Sequence, residues 1–165
     1  MADIVDRATR SRMMAGIREK NTRPELRLRR GLHARGFRYR LQVKELRGRP
    51  DLVLPKYLAV ILVHGCFWHR HQDCKYTTTP GTRPEFWQRK FQANVRRDAL
   101  VLEELGRAGW RVCVVWECAL RGNEHIEKAV EWAAAWLRGS GRFLEIGAGD
   151  LRYLQLNPGS AGCPT

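Results

Sequence analysis

The sequence predicts an α/β fold with a central mixed sheet flanked by helices. Three observations lead there. The tetrapeptide Thr-Arg-Pro-Glu occurs twice, at Thr22–Glu25 and Thr82–Glu85, each time ahead of a helical period. Apolar runs of strand length lie between the helical stretches. Their order along the chain is helix, three strands, helix, strand, helix.

A short helix is expected around Thr9 to Arg18, with Thr9 or Ser11 as its cap. The next runs from about Arg23 to Arg35. Thr22 and Glu25 form its capping box, Leu28 and Leu32 its buried stripe with Leu26 beside it, and Gly36 ends it. Phe37, Tyr39, Leu41 and Val43 alternate with Arg38, Arg40 and Gln42, which predicts a half-buried strand. Asp51 to Leu54 follows Gly48-Arg49-Pro50 as a second strand, and Leu58 to Val63 is a third. A long helix is expected from about Arg83 to Arg107, with Thr82 and Glu85 as its capping box. Phe91, Val95, Leu102 and Leu105 form its apolar face, and Gly106 and Gly109 lie near its end. Arg111 to Trp116 reads as a strand. The last helix, about Glu124 to Leu137, carries Ile126, Val130, Ala133 and Leu137 at helical spacing before Gly139 and Gly141. Residues 1–142 are expected to form one domain. Residues 143–165, with a weak strand signal and then Pro, Gly and Ser, are expected to be a partly flexible tail.

At 165 residues the chain can bury one core. Its 44% apolar and 28% charged residues are ordinary for a globular protein. The charge is not: thirty Lys and Arg against seventeen Asp and Glu give a net +13. Arg dominates, and its planar fork matches phosphate oxygens, so a nucleic acid is the expected partner. A basic surface typical of an Arg-rich proteome is the plain alternative. No stretch is long and apolar enough to span a membrane and Met1-Ala2-Asp3 opens no signal peptide, so a cytoplasmic location is expected. Five cysteines, an odd count, argue against a disulfide framework in a reducing compartment.

The densest chemistry lies in His64-Gly65-Cys66-Phe67-Trp68-His69-Arg70-His71-Gln72-Asp73-Cys74, directly after an apolar run. Thiols and imidazoles at a strand end suggest metal ligation. Cys66, His71 and Cys74, with the distant Cys118, would supply four soft ligands for a structural zinc. Buried cysteines and a surface histidine explain the same spacing. Cys113 belongs in the core and Cys163 is idle in the tail. Phe67 and Trp68, between the ligands, should point outward as a rigid wedge able to unstack bases. Asp51, at a strand start, could meet the Val63 carbonyl and the His64 imidazole at one sheet edge, oxygen chemistry that suits magnesium. His64 and His69 are candidates for proton transfer. On the long helix, Trp87, Lys90, Asn94 and Asp98 form a second stripe bordering the apolar one. Trp87, amid Arg83, Arg89 and Lys90, is expected to be exposed. Glu25 is accounted for as a helix cap.

Together these residues resemble a family. Arg10-Ser11 with Met14, Gly48-Arg49-Pro50-Asp51, His64-Gly65-Cys66-Phe67-Trp68-His69, Glu85-Phe86-Trp87, and Gly109-Trp110-Arg111-Val112 through Trp116-Glu117-Cys118-Ala119-Leu120-Arg121-Gly122 are similar to the very short patch repair (Vsr) mismatch endonucleases. The likeness covers residues 1–122. It implies a restriction-endonuclease-like core with a DNA-contacting arm over residues 1–20. It implies a strand-specific nick on the 5′ side of the thymine in thymine–guanine mismatches left by deamination of 5-methylcytosine. By the resemblance, Asp51 and the Val63 carbonyl hold catalytic Mg2+; His64 and His69 are catalytic, with Asp98 orienting His69. Cys66, His71, Cys74 and Cys118 hold structural Zn2+. Phe67, Trp68 and Trp87 intercalate opposite Met14, Lys90 and Asn94 contact the mismatch, and Glu25 gains a link to the site. Double-stranded DNA carrying a mismatch is the implied partner, a monomer is expected for a nick in one strand, and docking of mismatch-repair proteins from Asn123 onward is left open. Two rivals share these features: a non-catalytic zinc-containing DNA-binding module, and a nuclease of the same core with another specificity, such as uracil–guanine.

Overall fold

The computed structural model describes residues 6–16, 21–148 and 151–152. The elements are α1 (Arg7–Ala15), α2 (Arg23–Ala34), β1 (Leu52–Leu54), β2 (Ala59–His64), α3 (Cys66–His69), α4 (Pro84–Arg107), β3 (Arg111–Trp116), α5 (Asn123–Arg138), β4 (Phe143–Ile146) and β5 (Leu151–Arg152). The strands form one mixed sheet in the order β1-β2-β3-β4-β5. β1 and β2 are an antiparallel pair, β2, β3 and β4 run parallel, and β5 returns antiparallel to β4. Helices fill the two crossovers that parallel strands require: α3 and α4 between β2 and β3, α5 between β3 and β4.

Strand alternation divides the core. Ala59, Ile61, Cys113, Val115, Leu144 and Ile146 face one way, where Leu28 and Leu32 of α2 and Val130 and Leu137 of α5 cover them. Val60, Leu62, Val112, Val114 and Phe143 face the other way, under Val101 and Leu105 of α4. The β2–β3 register pairs His64 with Trp116, so both side chains stand on the α4 face at the carboxyl end of the sheet.

α2 and α5 approach closely because Gly31 leaves room. A Cβ at Gly31 would lie 2.5 Å from Val130 Cγ2. Gly31→Ala should therefore cost about 1–3 kcal/mol despite Ala's better helix propensity. Urea unfolding measures it, and adding Val130→Ala should recover most of the loss.

Several expectations are corrected. The capping box at Thr22 and Glu25 is present, but the one expected at Thr82 and Glu85 is not. Arg83 takes the N-cap position at φ +54 and no side chain caps the helix. α1 starts earlier than expected because the Asp6 carboxylate, not Thr9 or Ser11, accepts the first free amide, from Thr9 at 2.7 Å. Its expected end, at Arg18, lies outside the described residues, as does Cys163. Phe37 to Val43 is not a strand. One bridge, Arg40 to Val53, is all that pairs there, and Gln42 at φ +52 breaks the extended run. Three of its four apolar residues still serve the core: Phe37 is buried, Val43 is partly buried, and Tyr39 donates its hydroxyl to the Arg29 carbonyl at 3.1 Å, while Leu41 is exposed. The sheet also runs past residue 142, the expected start of the tail, since Phe143, Leu144 and Ile146 of β4 are buried beside β3. Cys113 is core, as expected.

The correction with most consequence concerns α4. Its buried residues are Trp87, Phe91, Val101 and Leu105, while Val95 is exposed. Continued at alternating steps of four and three, that face runs Trp87, Phe91, Asn94, Asp98, Val101, Leu105. Members of both stripes read from the sequence thus share one face, apolar at both ends and polar in the middle, while Lys90 and Val95 lie exposed outside it.

Candidate active site and metal cluster

The polar middle of α4 looks onto a cleft of about 410 Å³. Glu25 of α2, Arg49 and Asp51 ahead of β1, Val63 and His64 of β2, His69 of α3, and Arg97 and Asp98 of α4 all line it. Asp51 accepts a hydrogen bond from the Val63 amide at 2.6 Å, which fixes its carboxylate against β2. Burial raises the Asp51 carboxyl above its usual range; the Val63 amide, then the charges of Arg29 and His69, pull the other way.

His64 and His69 lie stacked, with ring centroids 4.0 Å apart and planes 6° from parallel. His69 Nδ1 is 2.6 Å from Asp98 Oδ2. With Asp98 ionised, Nδ1 carries the proton and donates it to the carboxylate, leaving Nε2 as a proton acceptor. His64 is buried, and burial first, then the neighbouring His69, hold it down at about 3, with Asp98 opposing. The folded value lies below the ordinary 6.5, so the unfolded chain binds more protons once the pH drops beneath 6.5. Stability from this group is full above 6.5 and falls as pH falls toward 3, at up to about 1.4 kcal/mol per pH unit. Urea unfolding at about pH 7.5 and pH 5.5 should therefore differ more for the wild type than for His64→Gln.

Glu25 is both a cap and part of the cleft. It closes the capping box with Thr22, and its buried carboxylate pairs with Arg29 one turn on. Arg29, which also donates to Asn21 Oδ1 at 2.7 Å, went unnoticed in the sequence. Its signal was present: residues 25, 28, 29 and 32 form one stripe of α2, and all four are buried. Arg97, also missed, donates to Asn94 Oδ1 at 2.7 Å at the cleft edge.

Beyond His69 the chain turns at Arg70, φ +56, and brings Cys66, His71, Cys74 and Cys118 together. Their ligand atoms all lie within 4.8 Å of one another. His71 Nδ1 is 3.4 Å from Cys118 Sγ and 3.7 Å from Cys66 Sγ. A hydrogen bond between the free Cys66 and Cys118 side chains holds the Cys118 thiol down at about 5, and the same hydrogen bond pushes Cys66 up. Three cysteine sulfurs and an imidazole are a donor set for a tetrahedral, borderline-soft ion. Thr77, another residue not singled out in the sequence, ties the loop back by donating to the His71 carbonyl at 2.7 Å.

The aromatics differ from expectation. Phe67 and Trp68 are half-buried, packed on each other at 5.0 Å. Trp87 is buried rather than exposed, because Phe67, Trp68, Phe86 and Phe91 surround it at 5.4–6.1 Å. Phe86 is the exposed ring of the group. Lys90 Nζ stands 5.2 Å from the Trp68 ring, and Asn94 donates to the Trp68 carbonyl at 3.1 Å. Met14 is half-buried on α1.

No described helix is long and apolar enough to cross a membrane. The family model for the DNA mismatch endonuclease Vsr matches residues 2–76. The chain is 43% identical over 156 residues to the DNA mismatch endonuclease Vsr of Escherichia coli (strain K12), covering 93% of this chain and 99% of that one. It is 44% identical over 120 residues to the type II nicking enzyme V.XorIIP of Xanthomonas oryzae pv. oryzae, covering 73% of this chain and 88% of the relative. Against V.NmeAIP of Neisseria meningitidis serogroup A the identity is 42% over 123 residues, 74% of this chain and 87% of the relative. On likeness that spans nearly the whole of both chains, this protein belongs to the Vsr family of DNA mismatch endonucleases.

Proposed function

We propose that this protein is a DNA nicking endonuclease acting at thymine–guanine mismatches, hydrolysing the phosphodiester on the 5′ side of the mismatched thymine, on a core of the restriction-endonuclease type. The observation that carries the reading is the adjacency of Asp51, His64, His69 and Asp98 in one cleft beside the Phe67–Trp68 pair. The names of the relatives, a mismatch endonuclease and nicking enzymes, support it.

The residues fit two different ions. Three thiols and an imidazole suit zinc in a structural site. Asp51, with Glu25 and Asp98 in the same cleft and the Val63 carbonyl as a further oxygen donor, suits magnesium. When bound, magnesium polarises the phosphate and lowers the pKa of water. Asp51 holds its carboxylate toward the cleft through the Val63 amide. His69 Nε2 takes the proton of the attacking water, and Asp98 on Nδ1 holds the ring and stabilises the imidazolium. His64, held neutral, packs the His69 ring without repelling its charge. Glu25 acts through Arg29 as well as capping α2.

Phe67 and Trp68, backed by Trp87, form the wedge on one side and Met14 on the other. A mispaired step costs less to unstack than a paired one, which gives part of the selectivity. Lys90 and Asn94, which both contact Trp68, are the residues we assign to contact the opened pair. The protein is expected to act as a monomer.

A panel of labelled duplexes, each with one mismatch and with or without magnesium, tests the reading. The expected result is nicking of one strand at thymine–guanine, with slower or no nicking of uracil–guanine and matched DNA. Binding should weaken steeply with salt. Equal rates on matched and mismatched duplexes would sink the mismatch assignment. Binding without nicking would leave a zinc-containing DNA-binding module.

A further inference from the structure

One side chain touches both clusters. Trp116 ends β3 opposite His64, on the same face of the sheet. Its ring lies flat on His71, at 4.3 Å and 10°, and meets His64 edge-on at 5.4 Å and 72°. The indole is buried, so its N–H needs an acceptor inside the protein. Glu145 supplies one: Trp116 Nε1 donates to Glu145 Oε1 at 2.5 Å. Glu145 sits on β4 in register with Val114, two residues back along β3, and so shares the face of Trp116. The order of contacts is Glu145, Trp116, His64, His69, Asp98, with His71 on the other side of the indole.

We propose that Trp116 and Glu145 are positioning residues for the nicking reaction: Glu145 sets the indole, and the indole sets both the His64–His69 stack and the His71 ring. The inference rests on the functional reading above for its kinetic part. Packing alone would be met by any large apolar residue at position 116. It gives no reason for a carboxylate at position 145, in a strand otherwise made of Phe143, Leu144 and Ile146. A carboxylate acceptor makes the indole bond charge-assisted and directional, which fixes ring orientation rather than volume.

The test compares Glu145→Leu, Glu145→Gln and Trp116→Phe in the full-length, metal-loaded protein. Two quantities are read: nicking of the thymine–guanine duplex, split into kcat and KM, and the imidazole nitrogen signals by NMR without DNA. Glu145→Leu should lower kcat about tenfold with KM within about twofold, the pattern of a misplaced reacting group. It should also shift the signals of His64, His69 and His71. Glu145→Gln keeps an acceptor and should recover most of kcat and the wild-type signals. Unchanged kcat in folded Glu145→Leu, equal damage in the Gln and Leu variants, or a loss confined to KM overturns the proposal. Should Glu145→Leu not fold, Trp116→Phe decides: it keeps an aromatic ring but loses the N–H, and wild-type kcat and imidazole signals there would overturn the claim. A wild-type protein that nicks no mismatch defeats the functional reading instead, and the imidazole signals still judge the positioning.

Discussion

Asp51→Asn should abolish nicking while leaving the fold at least as stable as before. The asparagine oxygen can still accept the Val63 amide, so the local geometry around β1 and β2 survives. What disappears is the negative charge. Without it the cleft loses its anchor for a divalent cation, and single-turnover nicking of the thymine–guanine duplex should fall about 10³-fold or more, the scale of losing a group used in the transition state. Stability should move the other way. Burial raises the Asp51 carboxyl above its ordinary 3.8, so the ionised form costs the folded state stability at pH values above that range. Asparagine removes the cost, and the thermal midpoint near neutral pH should hold or rise. A variant that nicks at the wild-type rate would end the catalytic assignment. One that unfolds would show that Asp51 matters for structure instead.

The second large effect is expected at Cys118. As a proposed ligand it joins the turn after β3 to α3 and the loop beyond it, which carry the other three residues of the cluster. Cys118→Ala should remove the metal from the protein as purified, read as metal per chain by mass spectrometry. It should lower stability in urea by roughly 4 kcal/mol, the range reached when a metal site is lost. Nicking should fall too, because the helix that carries Cys66 also carries His69. Cys163→Ser should leave the metal content unchanged. Full metal content in Cys118→Ala would remove Cys118 from the ligand set.

Much of this was legible in the sequence, and what was not depends on contacts between residues distant along the chain. Local signals were reliable where chemistry is local: the capping box at Thr22, the apolar runs of β2 and β3, and the thiol and imidazole spacing after His64. The half-buried strand expected from Phe37 to Val43 failed because alternation does not say whether the backbone has a partner; Phe37 is buried and Tyr39 and Val43 partly so, but Leu41 is exposed. Gln42 in a left-handed conformation ends the extended run after the single Arg40–Val53 bridge. Thr82 repeats the tetrapeptide of Thr22 and still caps nothing, because Arg83 turns the chain one residue later. Trp87 was expected on the surface from its charged neighbours in sequence. It is buried because Phe67 and Phe91, distant in sequence or one turn away, close over it. Arg29 and Trp116 were missed for the opposite reason: each sits in an ordinary helix or strand pattern, and only the fold sets Arg29 against Glu25 at the cleft and Trp116 between two clusters.

The single face of α4 has a mechanical consequence. One helix backs the aromatic pair with Trp87 and Phe91, holds His69 through Asp98, and anchors itself in the core through Val101 and Leu105. A rod gripped at its far end keeps its other stations at fixed spacing and fixed azimuth. One added residue between Phe91 and Asp98 would swing the near end through about 100°, and a full added turn would slide it by about 5.4 Å. Under the proposed function, prying and cutting therefore share one ruler, and drift in that ruler's length would leave each tool intact but aimed at different places on the duplex.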